Sequence, residues 1–101
     1  MKLLLRIFKS VADKRRLEIL ELLSRQEKVT IYEIKENLKI SSSTVCFHLK
    51  KLESVGIIDS KKVGKKVFYM INKKAKHYRF NSLLLNMIKI QRRRYENTSY
   101  K

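Results

Sequence analysis

Leu4, Ile7, Phe8 and Val11 recur at intervals of three and four, with Leu3 and Leu5 beside them. That spacing predicts a short, unusually apolar helix over residues 3–11. Asp13 is placed to cap a second helix, whose stripe of Leu17, Leu20 and Leu23, widened by Ile19 and Leu22, runs to about residue 25. Thr30-Ile31-Tyr32-Glu33 has the form of a capping box, a hydroxyl N-cap with a carboxylate three residues on. Ile31, Ile34 and Leu38 continue it as a short third helix ending near Leu38. Ser41 caps a fourth, with Ile40 and Val45 placed as a hydrophobic staple across its first turn. Val45, Leu49 and Leu52 form its inner face, and Gly56 stands where a left-handed residue ends a helix.

Beyond Gly56 the period changes. Residues 57–62 and 67–71 read as two strands, the second rich in β-formers (Val67, Phe68, Tyr69, Ile71), joined through Val63-Gly64-Lys65-Lys66. From about Lys74 a long helix follows, with a broad stripe of Leu83, Leu84, Met87, Ile88 and Ile90. It closes on Arg92-Arg93-Arg94, where cations suit the helix dipole. There is no proline, and of two glycines neither opens a linker. The pattern predicts one domain over residues 1–95 and a frayed tail over 96–101. Its class is mainly α with a small β-hairpin (α+β). Two short helices joined by a turn of about three residues and followed by a basic hairpin describe a winged helix-turn-helix.

Charge changes the picture more than composition does. The 101 residues carry a formal net charge of +16, and 44% are hydrophobic, enough for a core. Residues 1–60 hold twelve basic and eight acidic groups, whereas 61–101 hold thirteen basic groups and one acid, Glu96. Such self-repulsion is best relieved by a polyanion. Nucleic acid is the leading candidate and an anionic membrane surface the second. The single cysteine, Cys46, excludes an intrachain disulfide framework and fits a reducing, cytoplasmic setting. No apolar run reaches the length of a membrane span. The opening Met-Lys-Leu-Leu-Leu-Arg is followed by no adequate signal-peptide core.

Asp13 to Leu20, Asp-Lys-Arg-Arg-Leu-Glu-Ile-Leu, resembles a signature of the arsenic-repressor (ArsR) family of small dimeric winged-helix repressors. Ser43-Thr44-Val45, His48-Leu49-Lys50-Lys51-Leu52 and Gly56-Ile57-Ile58 look like that family's recognition helix and its exit. Gly64 to Ile71 is similar to its wing, and the likeness extends in register over residues 3–72. Lys14 departs from the family's usual proline and Arg15 from its small residue. Cys46-Phe47 replaces the usual serine and polar or basic residue. The resemblance implies a DNA-binding homodimer paired through its first and last helices, over Leu4, Ile7, Phe8, Leu83, Leu84, Met87 and Ile88.

With Val45, Leu49 and Leu52 inward, a turn of about 100° per residue sends Ser43, Phe47, Lys50 and Ser54 outward. Ser42, Ser43, Thr44, Phe47, Lys50 and Lys51 are therefore the contact candidates for a major groove. Small hydroxyls admit the backbone close to phosphates and base edges, and lysines meet phosphate. Phe47 either covers a thymine methyl or packs against a neighbouring loop. Lys61, Lys62, Lys65 and Lys66 place four cations on the hairpin, which suits flanking phosphates and also discourages edge pairing. The apolar first and last helices exceed what so small a domain covers, which points to an interface, here a homodimer.

Metal sensing is not expected. Where relatives carry Cys-x-Cys at the third helix this chain has Thr30 and Tyr32, and the last helix holds His77 and no aspartate, so the ligand count fails. His48 reads as a structural, hydrogen-bonded histidine and Cys46 as a small packing residue. No phosphate loop, nucleophile elbow or paired carboxylates support catalysis, and no cofactor is implied. No motif names a small-molecule effector. The expected function is sequence-specific binding of double-stranded DNA by a transcriptional repressor. A low-specificity DNA-coating protein, a winged-helix protein-interaction module and a peripheral membrane protein remain as alternatives.

Overall fold

The computed structural model describes residues 2–74 and 81–91. In chain order the elements are α1 (Lys2–Val11), α2 (Lys14–Arg25), α3 (Ile31–Leu38), α4 (Ser42–Ser54), β1 (Ile58–Val63) and β2 (Lys66–Ile71). A helical run over residues 81–91 follows and is called α5. Lys74 itself is not helical. Residues 75–80, with His77 among them, lie outside the described residues, as do Arg92-Arg93-Arg94 and the tail over 96–101.

The starts of α2, α3 and α4 follow from their caps. The Asp13 carboxylate accepts the Arg16 N–H at 3.1 Å. Thr30 and Glu33 form the reciprocal capping box, and Ser41 Oγ accepts the Thr44 N–H at 3.2 Å. Each cap satisfies a backbone donor that has no partner inside the helix. At the end of α4, Gly56 takes φ 82°. The Gly56 N–H then reaches Glu53 O and the Ile57 N–H reaches Leu52 O, at 3.0 and 3.2 Å. This is a Schellman ending, closed by the buried pair Leu52 and Ile57. α3 ends instead on Lys39 in the left-handed region, φ 56°, without glycine.

The core joins α2, α3, α4 and the base of the hairpin. Ile19, Leu20, Val29, Ile34, Val45 and Leu52 are wholly inaccessible. Leu17, placed in the inner stripe of α2 by spacing, is 39% exposed; Ile19, Leu20, Leu22 and Leu23 bury in its stead. β1 and β2 pair antiparallel, Ile58 opposite Ile71 and Val63 opposite Lys66. The hairpin turns over Gly64-Lys65 with Gly64 at φ 62°, the glycine-first form of a two-residue loop.

Two connections have no periodic signal in the sequence. Val29, between α2 and α3, exchanges both backbone hydrogen bonds with Tyr69 of β2, at 2.9 and 2.7 Å. This bridge adds to the buried Ile58 and Ile71 and to the Ser60–Glu53 hydrogen bond in fixing the hairpin to the helical body. Asn81, buried at the start of the described part of α5, donates from Nδ2 to Asn72 O at 2.6 Å and to Ile57 O at 3.2 Å. Asn72 Nδ2 donates to Gly56 O at 3.1 Å. The two side chains tie α5 to the turn that ends α4.

Candidate nucleic-acid interface

α3, the three-residue turn Lys39-Ile40-Ser41 and α4 make the helix-turn-helix. Burial divides α4 as its sequence predicts. Val45, His48, Leu49 and Leu52 face the core. Ser42, Ser43, Thr44, Phe47, Lys50, Lys51 and Ser54 are exposed, and Cys46 is half-buried on the flank. Three hydroxyls cluster at the helix start: Ser41 Oγ lies 3.2 Å from Ser43 Oγ and 2.8 Å from Thr44 Oγ1. Phe47 is 55% exposed. Its contacts run along its own helix, an edge-to-face approach to the His48 ring at 5.4 Å and the Lys51 ammonium at 5.5 Å from its centroid.

His48 anchors the inner side of this helix. Its Nδ1 lies 3.1 Å from Arg16 Nη1. A guanidinium only donates, so Nδ1 accepts, and the ring is neutral with its proton on Nε2. Burial holds the His48 pKa below its ordinary value, and the Arg16 and Arg15 charges push the same way against Asp13. Arg16 also donates through Nε to Ser10 O and sits 3.8 Å from the Asp13 carboxylate. The Asp13 carboxyl is held low, chiefly by the Arg16 N–H it accepts. One arginine of α2 thus links α1, its own N-cap and α4.

On the hairpin, Lys61, Lys62, Lys65 and Lys66 are all exposed. The register sets Lys61 against Phe68 and Lys62 against Val67, so no lysine faces another across the ladder. Facing like charges would oppose the pairing. Lys28 rests over the Phe68 ring at 4.7 Å.

The terminal helices divide differently from the expectation. Leu4, Phe8, Leu83 and Met87 are more than 40% exposed, together with Leu3, Leu5 and Ile90. Ile7 and Leu84, expected at an interface, are buried in the chain's own core at 8% each, and Ile88 packs against that core. Ile7 and Leu84 are the turns of α1 and α5 nearest the body. Among the described residues no three His, Cys, Asp or Glu side chains converge as a metal would require. Thr30 is committed to its capping box and Tyr32 is exposed. Among the described residues no helix is long and apolar enough to cross a membrane.

Three side chains that order the candidate interface carry no periodic or motif signal in the sequence. Arg16 joins α2 to α1 and α4, and Asn72 and Asn81 hold the end of α4, through side-chain bonds that only the fold brings together. The Asp13–Arg16 spacing was the single available sign.

Comparison with known proteins places these features. A family model described as bacterial regulatory protein, arsR family, matches residues 13–60. The cadmium resistance transcriptional regulatory protein CadC of Listeria innocua is 34% identical over 64 residues, 63% of this chain and 54% of that protein. The chain therefore spans about half the length of that relative. An uncharacterized HTH-type transcriptional regulator of Bacillus subtilis, YuzN, is 37% identical over 65 residues, 58% of this chain and 71% of that protein. Among solved structures, HlyU from Vibrio cholerae superposes with a TM-score of 0.73 at 26% identity, covering 93% of this chain and 92% of that one.

Proposed function

The chain belongs to the arsR family of bacterial regulatory proteins, and we propose that it is a sequence-specific, duplex-DNA-binding transcriptional repressor. It acts as a homodimer and senses no metal. One observation carries the reading: α4 buries its apolar face and turns Ser42, Ser43, Thr44, Phe47, Lys50 and Lys51 outward, beside a hairpin bearing four exposed lysines. A helix of this kind enters a major groove with its first turns against the bases. The serine and threonine hydroxyls there can donate to or accept from any base edge, and Phe47 offers an apolar face to a thymine methyl. The wing lysines hold phosphates on either side and add affinity without sequence preference.

Exposed Leu4, Phe8, Leu83 and Met87 support pairing of the terminal helices between two copies. Pairing there sets two recognition helices about one DNA turn apart, roughly 34 Å, on a palindromic site.

Fluorescence anisotropy with duplex from upstream of the protein's own gene, against a scrambled duplex of equal length at two salt concentrations, tests the reading. With about 8 phosphates met per dimer, log affinity falls against log salt with a slope of about −7. Preference for the native duplex persists at the higher salt. Equal affinity for both duplexes, disappearing with salt, would instead make the net charge the whole function and the protein a DNA coat. No duplex binding at moderate salt would leave a protein-interaction module.

A further inference from the structure

We infer that the open cleft between α1, α2 and α4 is a binding site for a phosphate group, one that shares Lys51 with the outward face of α4 and is separate from the wing. The cleft has a volume of about 310 Å³, at the small end of ligand sites. Four cationic side chains line it: Arg6 and Lys9 from α1, Arg16 from α2 and Lys51 from α4, with Ser10 and Ser54 between them. No carboxylate is among its lining residues.

The charges in this cleft are not balanced from within. Arg16 has a carboxylate near it, Asp13 at 3.8 Å. Arg6, Lys9 and Lys51 form no ion pair among the described residues. α1 and α4 both end beside the cleft, and each C-terminus contributes about half a negative charge. Together with Asp13 they offset roughly two of the four cations and leave a surplus of about two. A backbone phosphodiester carries one negative charge and a terminal phosphate about −1.5 to −2 at pH 7, so either draws on that surplus. A phosphate's several oxygens can also meet separate donors at once, as three cations on different helices require. Lys9 and Lys51 are exposed flexible cations at the cleft's edge, the Lys51 ammonium standing 5.5 Å from the Phe47 centroid. Arg16 forms the fixed wall, its Nε and Nη1 already bonded to Ser10 O and His48 Nδ1. Ser54 Oγ donates to Lys51 O at 2.8 Å and so accepts rather than donates toward the cleft.

The phosphate can come from a free phosphorylated compound or from the backbone of bound DNA, and two measurements separate the sources. The first uses no DNA, so it does not depend on the proposed function. Inorganic phosphate is titrated into the full chain against chloride at matched ionic strength, with binding followed by calorimetry. Wild type binds saturably; Arg6→Ala/Lys9→Ala weakens binding about tenfold or more. Lys2→Ala/Lys73→Ala, with equal loss of charge outside the cleft, leaves it unchanged. Circular dichroism verifies that both variants fold.

The second measurement is the salt slope of duplex binding. A free compound as the source leaves the slope of Arg6→Ala/Lys9→Ala at the wild-type value. The DNA backbone as the source lowers it by about 2 for the two clefts of a dimer, whether or not free phosphate binds. The inference is overturned if neither measurement distinguishes Arg6→Ala/Lys9→Ala from wild type, or if both double variants lose phosphate equally. Duplex binding by wild type would still stand in that case, so failure of the cleft and failure of the DNA reading remain distinct.

Discussion

At the scale of single residues, His48 carries a pH dependence. It is buried, accepts from Arg16 and has its pKa held below the ordinary 6.5. In the unfolded chain the ring takes up its proton near that ordinary value, so below it the unfolded state binds more protons than the folded one. Its contribution to stability is therefore whole above pH 6.5 and is lost as pH falls from there through the folded-state pKa. Thermal unfolding followed from pH 7.5 to 5.5 should show Tm dropping. His48→Gln, whose amide oxygen still accepts from Arg16, should flatten that dependence; an equally steep curve in the variant would place the titration elsewhere. Lys39 has a different consequence. A side chain at φ 56° is strained where glycine is not. Lys39→Gly should raise stability by about 0.5–1 kcal/mol in denaturant titration.

At the scale of elements, in the proposed function α4 and the hairpin divide recognition between them. Lys65→Ala/Lys66→Ala removes charge from an exposed wing whose ladder does not depend on it. Affinity for native and scrambled duplex should fall alike, with a shallower salt slope. Phe47→Ala should change affinity for the native duplex alone, because an apolar contact to a base carries no phosphate term. A uniform loss from Phe47→Ala would show the ring to be supporting the helix rather than reading sequence. The anchor of α5 is open to the same approach. Asn81→Ala leaves the carbonyls of Asn72 and Ile57 without that donor in a buried site. The expected cost is about 1–3 kcal/mol, measured by denaturant unfolding.

At the scale of the whole molecule, the proposed dimer assigns the exposed apolar side chains of α1 and α5 to pairing between chains. Leu83 and Met87 are each 58% exposed. Leu83→Lys/Met87→Lys leaves the core untouched and should convert a dimer to monomers in sedimentation equilibrium. Duplex affinity should fall with it, since two half-sites then bind independently. A variant still dimeric would move the interface away from α5. Ile7 and Leu84 are unsuitable probes, because they are buried in the chain's own core and their loss would unfold the domain before it separated a dimer.

The order of elements, their caps and the inward face of α4 are local properties. A hydroxyl or carboxylate three residues before a free N–H, an apolar repeat of three to four and a glycine after the last turn act within a few residues. Asp13, Thr30, Ser41, Val45, Leu49, Leu52 and Gly56 therefore had their roles legible in the sequence. The family likeness lay in the same positions. The tertiary structure alone decided which turns of the apolar terminal helices stay exposed, since that depends on where neighbouring elements run out; it drew Ile7 and Leu84 inward and left Leu17 outside. It also joined Val29 to Tyr69, tied Asn81 to the end of α4, and set Arg6, Lys9, Arg16 and Lys51 around one cleft. These groups stand far apart along the chain, and a polar side chain's partner follows from distance in space, which periodicity does not encode.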